Sequence, residues 1–525
     1  VTSQPARGCR DLHLEVLSVA KRQIVLNPTS ANKFTQKTDL INIPENDKPR
    51  DECGVFGIVA PGRLVARLVH FGLFALQHRG QESAGIATWD GDEINIRKGM
   101  GLVSDVFDDR ILNQLQGKSA VGHVRYSTTG SSVIANAGPF EADAGLLGSV
   151  VVAHNGNVVN TAELREEIVA KGAKLGGTTD TEVIAHVLAQ APGLTWPEKL
   201  QNGASRLRGA FSLAVLTHGQ VFAVRDPYGI RPLSLGQLND GGGWIIASET
   251  CALDTVDASF EREVVPGEII EITETGWQKV GELPRWESET HQAALCSAEL
   301  FYIARPDSNI AGQSVYMVRE ELGRWLAREH PVEADLVIGV PDSGIPAATG
   351  FAQASGIPYR EGIIKNRYIG RTFIQPDPQL RRRSVQLKLN PLRAILEGKR
   401  VVVVDDSIVR GNTTKGIVHM LRTVGGAREV HLRISAPPIL HPCVLGIDTG
   451  TYEELIANRL TVEQIREHVD ADSLGYLGVD NFVQASGIAK NQLCLACFNG
   501  QYPIDFRYVP GGAKLALERD LVVGS

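Results

Sequence analysis

The stretch KRVVVVDDSIVRGNTT, residues 399–414, decides how the second half of this chain is built. Its four consecutive valines, Val401 to Val404, carry no polar alternation, which predicts a strand buried on both faces in a helix-covered parallel sheet. Asp405 and Asp406 end that strand. The loop that follows, with Arg410, Gly411, Asn412, Thr413 and Thr414, opens a helix whose first N–H groups and threonine hydroxyls make a ready anion site. A phosphate-bearing sugar suits both features. Asp405 and Asp406 would engage ribose hydroxyls, directly or through Mg2+, while residues 411–414 cradle the phosphate. The plainer reading is a pair of N-capping aspartates on an ordinary strand-to-helix loop. A Walker A loop is excluded, since no Gly-Lys-Ser/Thr follows the glycine.

Two stretches upstream share this texture. ADLVIGV (334–340) leads through PDSG into a helix, placing Asp342, Ser343 and Gly344 at a strand end, where open α/β sheets bind ligands. KNRYIGRTFIQP (365–376) is basic and aromatic; Lys365, Arg367 and Arg371 would neutralise a departing anion, or else form a solvated basic loop. The run RRRSVQLKLN (381–390) reads as a charged face.

Before residue 285 the pattern differs. Short apolar runs alternate with Gly and Asn turns, and amphipathic helices such as TAELREEIVAKG lie between them, which predicts strand-rich α+β structure. That region starts at DECGVFGIVAPG (51–62). If Cys53 is a mature first residue, its own α-amine can act as base to its thiol; inside a peptide the same nitrogen is an amide and cannot. Residues 1–52, polar and ending in NIPENDKPRDE, read as a leader that must be removed. Taken alone, Cys53 reads as a buried core cysteine. Its companions give it a purpose: Arg125 in GHVRYSTTG offers a bidentate fork for a carboxylate, Asp180 in GGTTDTE an acceptor for an ammonium group. Asn155 and Gly156 in HNGN offer an amide and a backbone N–H for an oxyanion. Together these match glutamine.

Residues 53–285 resemble the glutaminase domain of the N-terminal-nucleophile (Ntn) amidotransferases through CGVFGI, LQHRGQESAGI, GHVRYST, HNGN and DPYGIRPL, in that order. Residues 399–414 resemble the phosphoribosylpyrophosphate loop of type I phosphoribosyltransferases. Both halves together resemble the glutamine phosphoribosylpyrophosphate amidotransferase family over about residues 53–510. The resemblance implies a cleaved propeptide (1–52), an α+β Ntn glutaminase domain of stacked antiparallel sheets (53–285), an α/β phosphoribosyltransferase domain (286–480) and a carboxyl-terminal segment (481–525). It implies Cys53 as nucleophile, Arg125 and Asp180 as glutamine clamps, and Asn155 with Gly156 as oxyanion hole. Residues 342–344 would hold diphosphate, with Ser343, Asp405 and Asp406 near Mg2+, and the 365–376 loop would close over the substrate. The implied reaction joins glutamine, phosphoribosylpyrophosphate and water into 5-phosphoribosylamine, glutamate and diphosphate. Ammonia would pass internally between the sites, purine nucleotides would inhibit, and two or four identical chains would assemble.

Four cysteines remain beside the nucleophile in the second half. Cys494 and Cys497 form a C-x-x-C pair in QLCLACFNG, which alone suits half a zinc site, a redox pair or nothing. With Cys296 and Cys443 they make four thiols. One subclass of the resembled family carries a [4Fe–4S] cluster on cysteines in corresponding contexts, which implies a cluster here; zinc is the alternative. Cys9 falls in the leader, and Cys251 reads as a small core residue.

Composition narrows the alternatives. A net charge of −7 disfavours a nucleic-acid surface, and no apolar run reaches the length of a membrane span. Seven cysteines in 525 residues do not make a disulfide scaffold, which leaves the cytoplasm as the default compartment. A nucleotide-sensing regulator without catalysis would need a DNA-binding module that the chain does not display. An iron–sulfur electron carrier would leave the glutamine and phosphoribosyl motifs without purpose.

Overall fold

The computed structural model describes residues 53–126, 130–286, 293–366 and 388–506. The expected leader, Arg367, Arg371 and most of the 381–390 run lie outside the described residues.

Two antiparallel sheets form the first half. A seven-stranded sheet is ordered Ala258–Glu263, Ser234–Leu238, Trp244–Ala247, Gly54–Val59, Ser119–Arg125, Ser83–Trp89, Ile94–Met100. A six-stranded sheet is ordered Gly276–Glu282, Glu268–Thr273, Val221–Arg225, Gly209–Leu216, Ser149–Val158, Phe140–Asp143. The two-residue period of a strand divides their side chains between layers. Val55 and Val59 point into the core between the sheets, against Val151, Ala214 and Ile270. Phe56 and Ile58 point the other way, onto the helix Val65–Ala75. The outer face of the second sheet packs on the helices Thr161–Ala170, Asp180–Gln190 and Trp196–Ala204. Helix, sheet, sheet and helix thus stack in four layers, and the Gly54–Val59 strand, buried throughout, is central to them.

The second half holds a four-stranded parallel sheet ordered Leu336–Gly339, Arg400–Asp405, Glu429–Ile434, Ser473–Tyr476. The valine run behaves as its composition requires. Val402 and Val404 enter one core with the helices Val315–Glu329 and Gly344–Ser355, while Val401 and Val403 enter another with the helix Asn412–Thr423. The expected class, an Ntn glutaminase fold followed by a parallel α/β phosphoribosyltransferase sheet, is the architecture found.

The chain then turns back. Leu493–Cys494 pairs in parallel with Leu295–Cys296, register-matching Cys494 with Cys296. The Leu295–Cys296 segment is in turn held by the DPYGIR loop, through Ala294 N–H to Tyr228 O (2.9 Å) and Cys296 N–H to Ile230 O (3.1 Å).

Candidate functional site

Cys53 immediately precedes the central strand and is 7% exposed. Antiparallel pairing sets Gly54 opposite Val124, which brings Cys53 beside Arg125 and Tyr126. The thiol lies 3.5 Å from the Tyr126 carbonyl, and Arg79 Nε donates to the Cys53 carbonyl at 3.0 Å. Arg125 is buried at the strand end, 3.4 Å from the Ser131 carbonyl and 3.8 Å from the Glu82 carboxylate.

Asn155 and Gly156 lie near the end of the ten-residue strand Ser149–Val158, with Asn155 in register with Ser212. Both polar atoms of the Asn155 side chain are buried with no hydrogen-bond partner among the described residues. Such an amide carries a desolvation penalty that interior residues rarely bear. Gly156 has φ +142°, and a Cβ there would sit 2.0 Å from the Ala210 carbonyl oxygen, so only glycine fits.

Asp180 opens the helix Asp180–Gln190, behind Thr179 as N-cap. Its carboxylate accepts from Val158 N–H at 3.2 Å and faces His154 Nδ1 at 3.6 Å. Burial pushes this carboxyl upward, but His154, the Val158 amide and Arg125 outweigh it and hold the group below its ordinary range. His123 lies on the same strand as Arg125. Burial, then Arg125 and His154, push its pKa down to about 3, so the ring is a neutral neighbour of these charges.

A buried charge quartet, which motif reading missed, stands next to the nucleophile. Arg79 pairs with Glu249 and, at 2.7 Å, with Glu299; Arg231 lies 3.6 Å from Glu299; all four side chains are fully buried. Two guanidiniums and two carboxylates balance. Arg79 lies within LQHRGQESAGI, but nothing in that stretch shows which carboxylates it meets. His154 of HNGN likewise carries no local sign that it faces Asp180.

At the second site, the parallel sheet brings the two strand ends together: Gly339 is in register with Val404, and Val340 N–H donates to Val404 O at 2.9 Å. Asp342, Ser343 and Gly344 therefore lie beside Asp405 and Asp406. Both aspartates are buried; Asp406 accepts from the hydroxyls of Ser343 and Ser407. Gly411 precedes the helix Asn412–Thr423, which begins with Asn412, Thr413 and Thr414 as expected. Two expected anion binders have local partners. Lys365 pairs with Asp342, and Arg410 lies 3.3 Å from Glu454.

Cys296, Cys443, Cys494 and Cys497 line one cavity with Phe301, Ile439 and other apolar residues. Burial raises the Cys494 thiol to about 12, and burial with the neighbouring thiols raises Cys497 well above its usual range. Among the described residues no group of three or more His, Cys, Asp or Glu is arranged to hold a metal ion. No helix among them is long and apolar enough to cross a membrane.

Residues 124–255 match a glutamine amidotransferase domain and residues 311–436 a phosphoribosyl transferase domain. The amidophosphoribosyltransferase of Synechococcus elongatus is 50% identical over 483 residues, covering 91% of this chain and 96% of its own. That of Bacillus subtilis is 46% identical over 459 residues, covering 87% and 94%. A solved structure of glutamine phosphoribosylpyrophosphate amidotransferase from Bacillus subtilis, complexed with ADP and GMP, aligns with TM-score 0.81 at 44% identity, over 88% of this chain and 100% of that one. Another, described as the allosteric regulatory enzyme of purine biosynthesis, aligns with TM-score 0.82 at 44% identity, over 89% and 99%. With both domains matched in the order the two sites occupy, and relatives covered over nearly their whole length, this chain belongs to the amidophosphoribosyltransferase family.

Proposed function

We propose that this chain makes 5-phosphoribosylamine from phosphoribosylpyrophosphate with ammonia drawn from glutamine. The observation that carries the reading is Asn155, whose side-chain amide is buried without a partner among the described residues, on the strand that also presents Gly156. A folded protein tolerates such a group where its partner arrives with the substrate.

Removal of residues 1–52 would give Cys53 a free α-amine, which takes the thiol proton. Arg125 receives the glutamine carboxylate and Asp180 its ammonium group. The thiolate attacks the side-chain amide, and the oxyanion accepts hydrogen bonds from Asn155 Nδ2 and the Gly156 N–H. Collapse of this intermediate returns the proton to the departing nitrogen, releasing ammonia and leaving a thioester that water opens to glutamate. Ammonia, mostly protonated in bulk water, keeps its lone pair by passing internally to the second site. There it attacks the ribose C1 as diphosphate leaves.

At that site Asp405 and Asp406 hold the ribose, residues 410–414 the 5-phosphate, and Asp342, Ser343 and Gly344 the diphosphate, with Lys365, Arg367 and Arg371 from the adjoining loop. The all-oxygen set of Ser343, Asp405 and Asp406 suits Mg2+, which would supply charge neutralisation to the leaving diphosphate. The four cysteines fit a [4Fe–4S] cluster: they are thiols around one apolar-walled cavity, and burial disfavours the charged form of Cys494 and Cys497 without a cation. Zinc on the same four thiols is the alternative. We extend to this chain the domain limits drawn above, inhibition by purine nucleotides, and assembly of identical chains.

The test is Cys53→Ala. It should abolish glutamine-dependent synthesis and keep synthesis from ammonium salt; loss of both in a folded protein would refute a two-site enzyme.

A further inference from the structure

The loop that brings Cys443 to the cavity continues to the other site. Asn157 Nδ2 donates to the Val444 carbonyl at 2.9 Å, and Arg231 Nη2 donates to the Leu445 carbonyl at 2.5 Å. These bonds join parts of the chain 287 and 214 residues apart. Gly446 follows with φ +111°, and a Cβ there would come within 3.1 Å of the Gly156 carbonyl carbon and 3.2 Å of Arg231 Nη2. At the near end, Cys443 Sγ accepts from Leu445 N–H at 3.3 Å, and Cys443 N–H donates to Thr449 Oγ1 at 2.8 Å.

Gly156 therefore sits between the Ala210 carbonyl of its neighbouring strand Gly209–Leu216 and the backbone of Gly446, which comes from a remote segment. The Ala210 contact belongs to the β-ladder of Gly156; the Gly446 contact lies outside it. An oxyanion hole works only while its donors stay about 2.7–3.1 Å from the developing charge, and a displacement of about 1 Å costs on the order of 100-fold in rate. We propose that Val444–Gly446 is a positioning strap for the oxyanion hole, fastened by Asn157 and Arg231, so that the aim of the Gly156 N–H is set from the second half of the chain. The inference rests on Asn155 and Gly156 forming that hole. It assigns Asn157, Arg231 and Gly446 to positioning, since none of them needs to touch glutamine. The Arg231 bond is charge-assisted and buried, which suits a fastening that must not creep.

The test uses Gly446→Ala and Asn157→Asp in the full mature enzyme. The alanine would press its methyl on Gly156 at a backbone angle that favours glycine; the aspartate would set a carboxylate against the Val444 carbonyl. Four quantities are measured in each: kcat and KM for glutamine, synthesis from ammonium salt, and the alkylation rate of Cys53 by a neutral haloacetamide. The strap predicts a fall in glutamine kcat of about 10- to 100-fold. It predicts an unchanged KM, unchanged ammonia-dependent synthesis and unchanged Cys53 alkylation. Unchanged kcat in both variants overturns it. Parallel loss of ammonia-dependent synthesis in both also overturns it, because the segment would then serve folding alone. Failure of the underlying reading looks different: the unsubstituted enzyme would not hydrolyse glutamine, or Cys53→Ala would hydrolyse it normally.

Discussion

Asn155→Ala separates a residue kept for catalysis from one kept for stability. Both polar atoms of the amide are buried and unpartnered among the described residues, so the folded protein gains no internal hydrogen bond from them. An unsatisfied buried polar group costs about 1–3 kcal/mol, so truncation relieves a penalty while forfeiting only the packing of a small side chain. The two effects oppose, and unfolding stability should stay within about 1 kcal/mol of the parent or rise. Glutamine turnover should move the other way. Loss of one oxyanion donor lowers kcat by about 100- to 1000-fold, or about 2.7–4 kcal/mol of transition-state stabilisation. The assay pairs glutamate release at saturating glutamine with a guanidinium titration on the same preparation; ammonia-dependent synthesis serves as the internal control. A stability loss of about 3 kcal/mol or more would make Asn155 a structural anchor. Turnover within about 10-fold of the parent would remove it from the oxyanion hole.

Asp405→Asn with Asp406→Asn should abolish synthesis from both glutamine and ammonium salt while sparing basal glutamine hydrolysis; normal synthesis, measured as phosphoribosylpyrophosphate consumption, would leave the pair as helix caps. For Glu249, burial pushes the carboxyl up, but His78 and Arg79 outweigh it and hold it far below its ordinary range. Its contribution is therefore complete above the unfolded value of about 4.3 and is lost as pH falls below it. Urea midpoints of the parent should drop more steeply below that pH than those of Glu249→Gln, and equal slopes would refute the linkage. Anaerobically purified protein should be brown with about four irons and four sulfides per chain, and Cys494→Ser should yield poorly folded protein. A colourless, active enzyme with one zinc per chain would overturn the cluster and leave a structural metal tying the carboxyl-terminal cysteines to Cys296 and Cys443.

What could be read in the sequence was local. Four valines without alternation identify a doubly covered strand, and Val401–Val404 do divide between two cores. The order of motifs from Cys53 to DPYGIRPL placed an α+β half before an α/β half. What could not be read was pairing across distance. Nothing near Arg79 announces Glu299, 220 residues away, and nothing in HPCVLG announces that Val444 and Leu445 will meet Asn157 and Arg231. Buried polar contacts of this kind have no period, because their geometry is set only after the layers have packed. Charge was similarly opaque. Lys365 and Arg410 read as anion binders, and each has a carboxylate neighbour in the structure.

The quartet of Arg79, Arg231, Glu249 and Glu299 has a consequence for heredity. Three of its members lie in the part built on the two antiparallel sheets, and the fourth, Glu299, lies on the segment after them, before the matched phosphoribosyl transferase residues 311–436. Severed before that residue, the first half would keep two guanidiniums and one carboxylate at a surface shaped to be dry. Swapped between lineages, either half would have to meet a stranger carrying the matching charge at the matching depth. The two halves share one buried charge network, so replacing either half alone would leave buried charges unpaired unless the newcomer carries the complementary groups at the same depth.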